Sequence, residues 1–202
     1  MKYRSLTRAT QPVVEPVTLT EAKQHLRVDI DDDNAYIMGL VSAARAWVEE
    51  YIDRTLVHTQ WVMRMDKLPD SSLVPIELPR PPMATAADKT AVAVTFTYEN
   101  GTTATYDSAS LRVDRNATPG AIKTLYGFAW QPHLLDDNSV SVTWWGGYGE
   151  DGRSIPPQAK TAMLMLVGLW YERRQAADAI AANEVPYGVK ALLDSIKWGS
   201  YR

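Results

Sequence analysis

The most chemically suggestive residues form a run of carboxylates between two predicted helices. Asp29, Asp31, Asp32 and Asp33 are spaced like oxygen ligands of a calcium loop. The match ends there. Counting from Asp29, the sixth position is Asn34, where the bend of a calcium loop needs glycine, and the twelfth is a leucine, where the loop needs glutamate. Carboxylates before a helix also cap its free N–H groups and complement its dipole. We therefore predict helix capping by this run, and no calcium site.

No other group of residues has the spacing of a known reaction centre. The glycine cluster 146–152 fits neither dinucleotide-binding nor P-loop spacing, so a turn is the better interpretation. His25, His58 and His133 are far apart, and none has a ligand partner at helical spacing. The chain has no cysteine, and no serine occupies a nucleophile elbow. We predict no catalytic residue, no metal and no cofactor, while an enzyme with an unfamiliar site stays an alternative.

The composition is that of an ordinary soluble domain. The 202 residues are 46% hydrophobic and 22% charged, and the formal net charge of -3 gives no basic excess for binding nucleic acid. The longest apolar run, 162–170, is shorter than the roughly 18 residues of a membrane span. The basic N-terminus lacks the apolar stretch of a secretory signal. We expect a protein with no membrane partner.

Helical spacing dominates the first quarter of the chain. Two early prolines favour an extended lead-in. Thr18 and Glu21 then match a capping box, which predicts a short helix over 19–27. Apolar residues recur every three or four positions over 37–52, which indicates one face of a long helix that ends near residue 54. The predicted opposite face carries the charged residues Arg45, Glu49, Glu50 and Asp53.

After residue 57 the spacing changes to a period of two. Apolar and polar side chains alternate over 57–65, which predicts a strand with one buried face. Glu99, Asn100 and Gly101 favour a tight hairpin turn. The proline-rich segment 79–82 belongs in a loop or at a sheet edge. The predicted strands are 57–65, 73–78, 91–98, 102–106, 111–114 and 139–145.

An apolar helix is predicted over 157–171, followed by a shorter helix and an aromatic tail. The longer helix is apolar nearly all round, which favours burial on most sides, or a subunit interface. The predicted fold class is α+β: an antiparallel helical bundle of N- and C-terminal helices, with an inserted, mostly antiparallel β region. The predicted divisions are an extended arm at 1–17, helices at 18–56, the β insert at 57–150, helices at 151–195 and a tail at 196–202.

Several short motifs occur in an order that resembles a known protein family. The resemblance covers most of the chain, from about residue 16 to about residue 193. Its motifs are Pro16-Val17-Thr18-Leu19-Thr20-Glu21, the acidic run, Ala43-Ala44-Arg45, Arg80-Pro81-Pro82, Gly147-Tyr148-Gly149 and Trp170-Tyr171-Glu172-Arg173-Arg174. In this order they resemble the tailed-bacteriophage head-tail connector (adaptor) proteins. The stretch 83–90 departs from the pattern, because it is small and polar where an apolar strand is expected.

The resemblance implies a structural role. Proteins of that family form a ring of about a dozen copies on the portal protein at the DNA-exit vertex, a closed homo-oligomer. The ring extends the DNA channel and carries the stopper or tail-completion protein. By this resemblance the chain is expected in the virion, at the head-tail joining region, after assembly in the host cytoplasm. Double-stranded DNA is expected to pass through the lumen without specific binding.

The resemblance also implies which residues make contacts. The C-terminal tail of the family reaches into the portal, so the predicted anchors are Trp198, Tyr201 and Arg202. A ring needs two different complementary patches on every copy, and charged residues of the helices are candidates for them. The predicted subunit contacts are Arg173, Arg174, Glu49 and Asp53.

The residues alone leave another class of function open. Trp144, Trp145 and Tyr148 lie together near the end of the β region and could form an aromatic platform for a carbohydrate. The alternative prediction is a β-rich ligand-binding module with helical flanks.

Overall fold

The chain folds into two compact units in the computed structural model, which describes residues 3–131, 137–173 and 185–199. Val13–Val57 and Gly149–Arg202 form a helical unit, while Met1–Pro12 and His58–Tyr148 form a β unit. Each unit is therefore built from two segments that are distant in sequence. The described residues contain four α-helices and two antiparallel sheets, which confirms the predicted α+β class.

The helical unit contains α1 (Leu19–Leu26), α2 (Asn34–Ile52), α3 (Pro157–Glu172) and α4 (Tyr187–Asp194). At the start of α1 the predicted capping box is confirmed. The Glu21 N–H donates to the Thr18 hydroxyl at 3.2 Å, and the Thr18 N–H donates to the Glu21 carboxylate at 2.9 Å. Both partners lie within one helical turn, so the local sequence is enough to form this contact.

The acidic run before α2 does not cap that helix. Asp33 occupies the N-cap position without a capping bond from its side chain. Its carboxylate accepts instead from the Tyr171 hydroxyl at 2.6 Å, and the Asp31 carboxylate accepts from Lys23 Nζ at 2.8 Å. The capping prediction was wrong because partners on α3 and α1 take these carboxylates. Within the described residues, no group of three or more His, Asp or Glu side chains could hold a metal ion.

Apolar stripes on α2 and α3 make the core of the helical unit, with α1 and α4 in contact with both helices. On α2 the fully buried residues are Ile37, Val41, Ala44, Val48 and Ile52, as the spacing predicts. On α3 they are Ala159, Ala162, Met163, Leu166 and Val167. α3 is less buried than predicted, since Met165 is 37% exposed. The prediction went too far because residue type does not reveal how many neighbours a helix has. No helix in the described ranges is both long and apolar enough to cross a membrane.

The part of the β unit that the structure describes holds eight strands in two antiparallel sheets. In chain order they are β1 (Ser5–Arg8), β2 (Thr59–Met65), β3 (Ile76–Leu78), β4 (Ala93–Thr97), β5 (Thr103–Thr105), β6 (Leu111–Asp114), β7 (Gly120–Thr124) and β8 (Val140–Gly146). The larger sheet has the order β1-β2-β8-β4-β5, and the smaller one has the order β3-β7-β6. One face of the larger sheet builds the core of this unit, where the register places buried pairs Trp61 with Trp144, Met63 with Val142 and Met65 with Val140.

Two of these strands are absent from the sequence-based prediction. β1 lies inside the segment predicted as an extended arm, yet it pairs with β2, and Leu6 lies opposite Met63. β7 pairs with both β3 and β6. Strands of four or five residues contain too few alternations to be recognised, so the strands beside them decide their conformation.

Two of the predictions for connecting segments in the β region are confirmed. Between β4 and β5 the Gly101 N–H donates to the Tyr98 carbonyl at 2.9 Å, and Gly101 has a φ of 81°, which favours glycine. The proline-rich segment 79–82 forms a loop directly after β3.

A buried ion network holds the end of α2 in the helical unit. Arg45 and Glu49, predicted on the charged face opposite the apolar stripe, are only 3% and 1% exposed. Arg45 donates to both carboxylate oxygens of Glu15, at 2.7 and 3.3 Å, and to Glu49 at 3.0 Å. Glu49 also accepts from the Leu56 N–H at 2.8 Å. Burial lowers the pKa of Arg45, but the hydrogen bonds and charges of the two carboxylates outweigh that effect and raise it.

Replacing Glu49 by alanine should lower the free energy of unfolding by about 3 kcal/mol. The change leaves the buried Leu56 N–H without its acceptor and removes one carboxylate from Arg45. Urea unfolding followed by tryptophan fluorescence measures the loss. Glu50→Ala is the matched control, because Glu50 is exposed on the same helix, and it should change stability by less than about 0.5 kcal/mol. Equal losses in the two variants would contradict a special role for the network.

Glu21 should make the helical unit sensitive to acid. Its carboxylate accepts from Lys160 Nζ at 2.6 Å, and this bond, together with the Thr18 N–H, lowers the pKa of Glu21 below its ordinary 4.5. A carboxylate whose pKa is lower in the folded state than in the unfolded state stabilises the fold at pH values above the unfolded-state pKa. This contribution disappears as the pH falls through the folded-state pKa. The stability difference between wild type and Glu21→Gln should therefore be largest near neutral pH and shrink below about pH 4.5. A stability difference between the two proteins that stays constant over that pH range would refute this role of Glu21.

Candidate interaction surfaces

The segment after α4 is attached to the C-terminal end of α2. The Trp198 N–H donates to the Ile52 carbonyl at 2.9 Å. Arg54 Nε donates to the Ile196 carbonyl at 2.7 Å. The last carbonyls of a helix have no partner within the helix, so the bond from Trp198 satisfies one of them. The beginning of the predicted tail is thus held in place by one backbone–backbone bond and by one bond from the Arg54 side chain.

Aromatic and charged side chains surround this attachment. The Trp47 and Tyr51 rings stack with centroids 5.2 Å apart, and Lys197 Nζ lies 4.5 Å from the Tyr51 centroid. The Tyr51 hydroxyl donates to Asp194 at 2.8 Å, and this bond raises the pKa of Tyr51. We call Trp47, Tyr51, Lys197 and Trp198 the tail base.

The predicted portal anchors divide into one residue within the tail base and two outside the described part of the chain. Trp198 is half-buried, while Tyr201 and Arg202 lie outside the described residues. Between them Gly199 has a φ of 86°, a left-handed conformation that suits glycine and turns the chain after Trp198.

The predicted subunit contacts differ in their accessibility. Arg173 is exposed directly after α3, and Arg174 lies outside the described residues. Asp53 is partly exposed at the end of α2, where it has a φ of 53°. Glu49 is buried in the ion network, so its carboxylate cannot itself contact a neighbouring copy. This burial escaped sequence analysis because no spacing rule distinguishes a buried charged pair from an exposed one.

The three aromatic residues considered as a carbohydrate platform do not share one surface. Trp144 is fully buried in the core, whereas its neighbour Trp145 lies on the opposite face of β8, with Lys89 Nζ 4.8 Å from its ring centroid. Successive side chains of a strand point to opposite faces, which separates the two rings. A sugar-binding platform of Trp144, Trp145 and Tyr148 is therefore not formed.

An exposed aromatic turn after β7 is a surface that sequence analysis assigned no role. The Phe128 N–H donates to the Leu125 carbonyl at 3.0 Å, and the Thr124 hydroxyl donates to the Phe128 carbonyl at 3.1 Å. Tyr126 is fully exposed at the tip, and Phe128 is more than half exposed. Aromatic side chains on a well-bonded turn are suited to anchoring a protein contact.

Comparison with known proteins assigns a family and a fold. The family model for the phage gp6-like head-tail connector protein matches residues 16–127. Among curated proteins, nothing matches the chain.

Solved structures of gene transfer agent (GTA) particles contain chains of similar fold. A chain in the neck of an empty GTA particle, computed with C6 symmetry, has a TM-score of 0.76 and 20% identity, covering 96% of this chain and 95% of that chain. A chain in the virion of a native GTA particle has a TM-score of 0.72 and 20% identity, with 95% and 94% covered. A chain in the neck of a native GTA particle, computed with C12 symmetry, has a TM-score of 0.71 and 20% identity, with 96% and 94% covered. The similarity of fold thus extends over nearly the whole chain.

Arg54 should control how firmly the tail base holds the end of the chain. Arg54→Ala removes the charge-assisted bond to the Ile196 carbonyl, worth about 1.5 kcal/mol, so the Trp198 amide should exchange its hydrogen about tenfold faster. Hydrogen exchange resolved by residue measures this. Arg153→Ala is the control, because Arg153 is a highly exposed arginine of the same unit. Unchanged exchange at Trp198 in Arg54→Ala would show that the guanidinium does not hold the segment.

Proposed function

This chain belongs to the phage gp6-like head-tail connector family, and we propose that it is a structural joint between the head and the tail of a phage-like particle. The observation that carries the proposal is the family match over residues 16–127, which includes segments of both units. The similarity of fold to chains in GTA particle necks agrees with it. The proposed role is structural and not enzymatic, and it places the protein in the virion after assembly in the host cytoplasm.

The proposed assembly is a closed ring of about a dozen copies. Two of the similar structures described above come from necks computed with C6 or C12 symmetry, and we infer a comparable ring for this chain. A head-to-tail ring needs two unlike patches per copy, and opposite charges suit such a contact. We propose Asp53 for one patch and Arg173 with Arg174 for the other. The helices of each copy would form an antiparallel bundle, and Glu49 would support the interface from inside by holding α2.

The proposed partner on the head side is the portal protein, and the docking segment is the C-terminal tail. The bonds of 196–198 to the Ile52 carbonyl and to the Arg54 side chain support this role, because a segment already held at its base loses less entropy when its tip is bound. Trp198 would position the tip, and Tyr201 and Arg202 would contact the portal. On the other side the ring would carry a stopper or tail-completion protein, with double-stranded DNA passing through the lumen without specific binding and no membrane involved.

Removing residues 200–202 should weaken portal binding at least about tenfold, because aromatic and arginine anchors carry most of an interface's binding energy. Co-sedimentation of the chain with the portal protein of the same particle measures this. Tyr187→Ala is the control, since it removes a highly exposed aromatic side chain from the same unit but leaves the tail unchanged. A full-length chain that stays monomeric and never co-sediments with the portal would refute the proposed function. Equal binding by full-length and shortened chains would refute only the role of the tail.

A further inference from the structure

The outer edge of β2 fits one particular segment of this chain, and β1 occupies it. All four residues of β1 pair with β2 in antiparallel register. Leu6 lies opposite Met63 and packs against the buried core of the β unit. The Arg8 guanidinium lies 5.2 Å from the centroid of the Trp61 ring, which is itself buried. The edge of β2 therefore recognises the β1 side chains as well as the β1 backbone.

Contacts just outside the strand fix its position at both ends. Before β1, Arg4 pairs with Asp66 and Asp137. After β1, the Ala9 N–H donates to the Gln60 carbonyl at 2.8 Å. Exposed ion pairs add little stability, but complementary charges help to fix the register of a contact. The β2 edge is thus a site whose fitting occupant is known, because the β1 sequence matches it along its whole length.

β1 and β2 are neighbours in the sheet but not in the chain. The segment Val13–Val57, which belongs to the helical unit, lies between them. By contrast, β4 and β5 are joined by the tight turn at Gly101, so neither strand can leave the other without opening that hairpin. No such turn ties β1 to β2, and β1 can reach any β2 edge that its connection spans.

The connection between β1 and the helical unit is exposed and favours an extended path. It runs from Ala9 to Glu15, whose carboxylate Arg45 binds in the ion network. Between these two points Val13 is 99% exposed. Pro12 and the proline at position 16 bias the residues before them toward extended backbone. A connection of this kind spans at most about 21 Å, which limits β1 to its own copy or an adjacent one.

Exchange of β1 between identical copies would keep every contact described above, because each copy offers the same β2 edge. Only the connection at 10–14 has to change its conformation. Each copy would then carry two unlike patches, a donated β1 and an accepting β2 edge. A closed head-to-tail ring requires two unlike patches of this kind.

We propose that adjacent copies of this chain exchange β1, so that the strand of one copy pairs with the β2 edge of the next. The inference rests on the proposed function for the presence of a ring, and it assigns to that ring a contact besides the charged patches at Asp53 and Arg173. The occupant of the edge is a second copy of this chain, because the edge matches β1 in register, apolar contact and charge.

Disulfide trapping tests the exchange, because the chain has no cysteine of its own. Thr7 and Val62 face each other across β1 and β2, so the double variant Thr7→Cys/Val62→Cys can form a disulfide there. The full-length variant is oxidised after co-sedimentation with the portal protein and is then run on a denaturing gel without reductant. Exchange should give a ladder of covalent oligomers. An unexchanged strand should give a single chain with an internal disulfide.

The double variant Thr97→Cys/Thr103→Cys is the matched control. These residues face each other across β4 and β5, within one hairpin. A disulfide between them stays within one chain, so this variant should run as a monomer even when its copies are assembled. A mixture of copies that carry only Thr7→Cys with copies that carry only Val62→Cys gives a second measurement. Exchange should produce covalent dimers that contain one chain of each kind.

The outcomes separate this inference from the proposed function. A double variant that binds the portal but forms only internal disulfides would overturn the exchange and leave the proposed function standing. A chain that never binds the portal would refute the proposed function, and oxidation of the free chain would then decide the inference. In that case a ladder would support exchange, and internal disulfides alone would overturn it.

Discussion

The buried pair of Arg45 and Glu49 is the contact on which the helical unit depends, because it joins three parts of the chain at one point. Arg45 binds Glu15 from the segment before α1, and Glu49 binds the Leu56 N–H in the segment after α2. Charged side chains are tolerated in a buried position only when partners bind their donors and acceptors. Removing one member of such a pair leaves the other charge unpaired in a low-dielectric interior. The network therefore specifies the path of the chain into and out of α2.

The attachment of the C-terminal segment depends on the same helix. The carbonyl of Ile52 at the end of α2 accepts from Trp198, and Arg54 just beyond it holds Ile196. The fold thus orders the beginning of the tail without any partner. In this protein of the head-tail connector family, the helical unit and the beginning of the C-terminal tail are thus joined at the end of α2.

The β unit shows how one strand period creates two surfaces of opposite character. On β2 and β8 the inward positions hold Trp61, Met63 and Trp144, which are buried in the core. The positions between them carry hydroxyl, amide and arginine side chains, together with Val62 and Trp145. Because neighbouring positions point in opposite directions, the adjacent tryptophans Trp144 and Trp145 have different environments and cannot act as one aromatic site.

The sequence by itself determined the features that depend on neighbouring residues. The capping box at Thr18, the hairpin turn at Gly101, the apolar stripe of α2 and the alternation in β2 all lie where their patterns predict, since each is a contact or a period within a few residues. Of the candidate contacts, sequence and family resemblance could nominate Trp198 and Arg173, but not their surroundings. Only the tertiary structure decided that Ser5–Arg8 is a strand, that Glu49 is buried, and that α3 leaves Met165 exposed. These outcomes depend on partners far away in the chain, and short segments or single charged residues carry no periodic signal that would identify such partners.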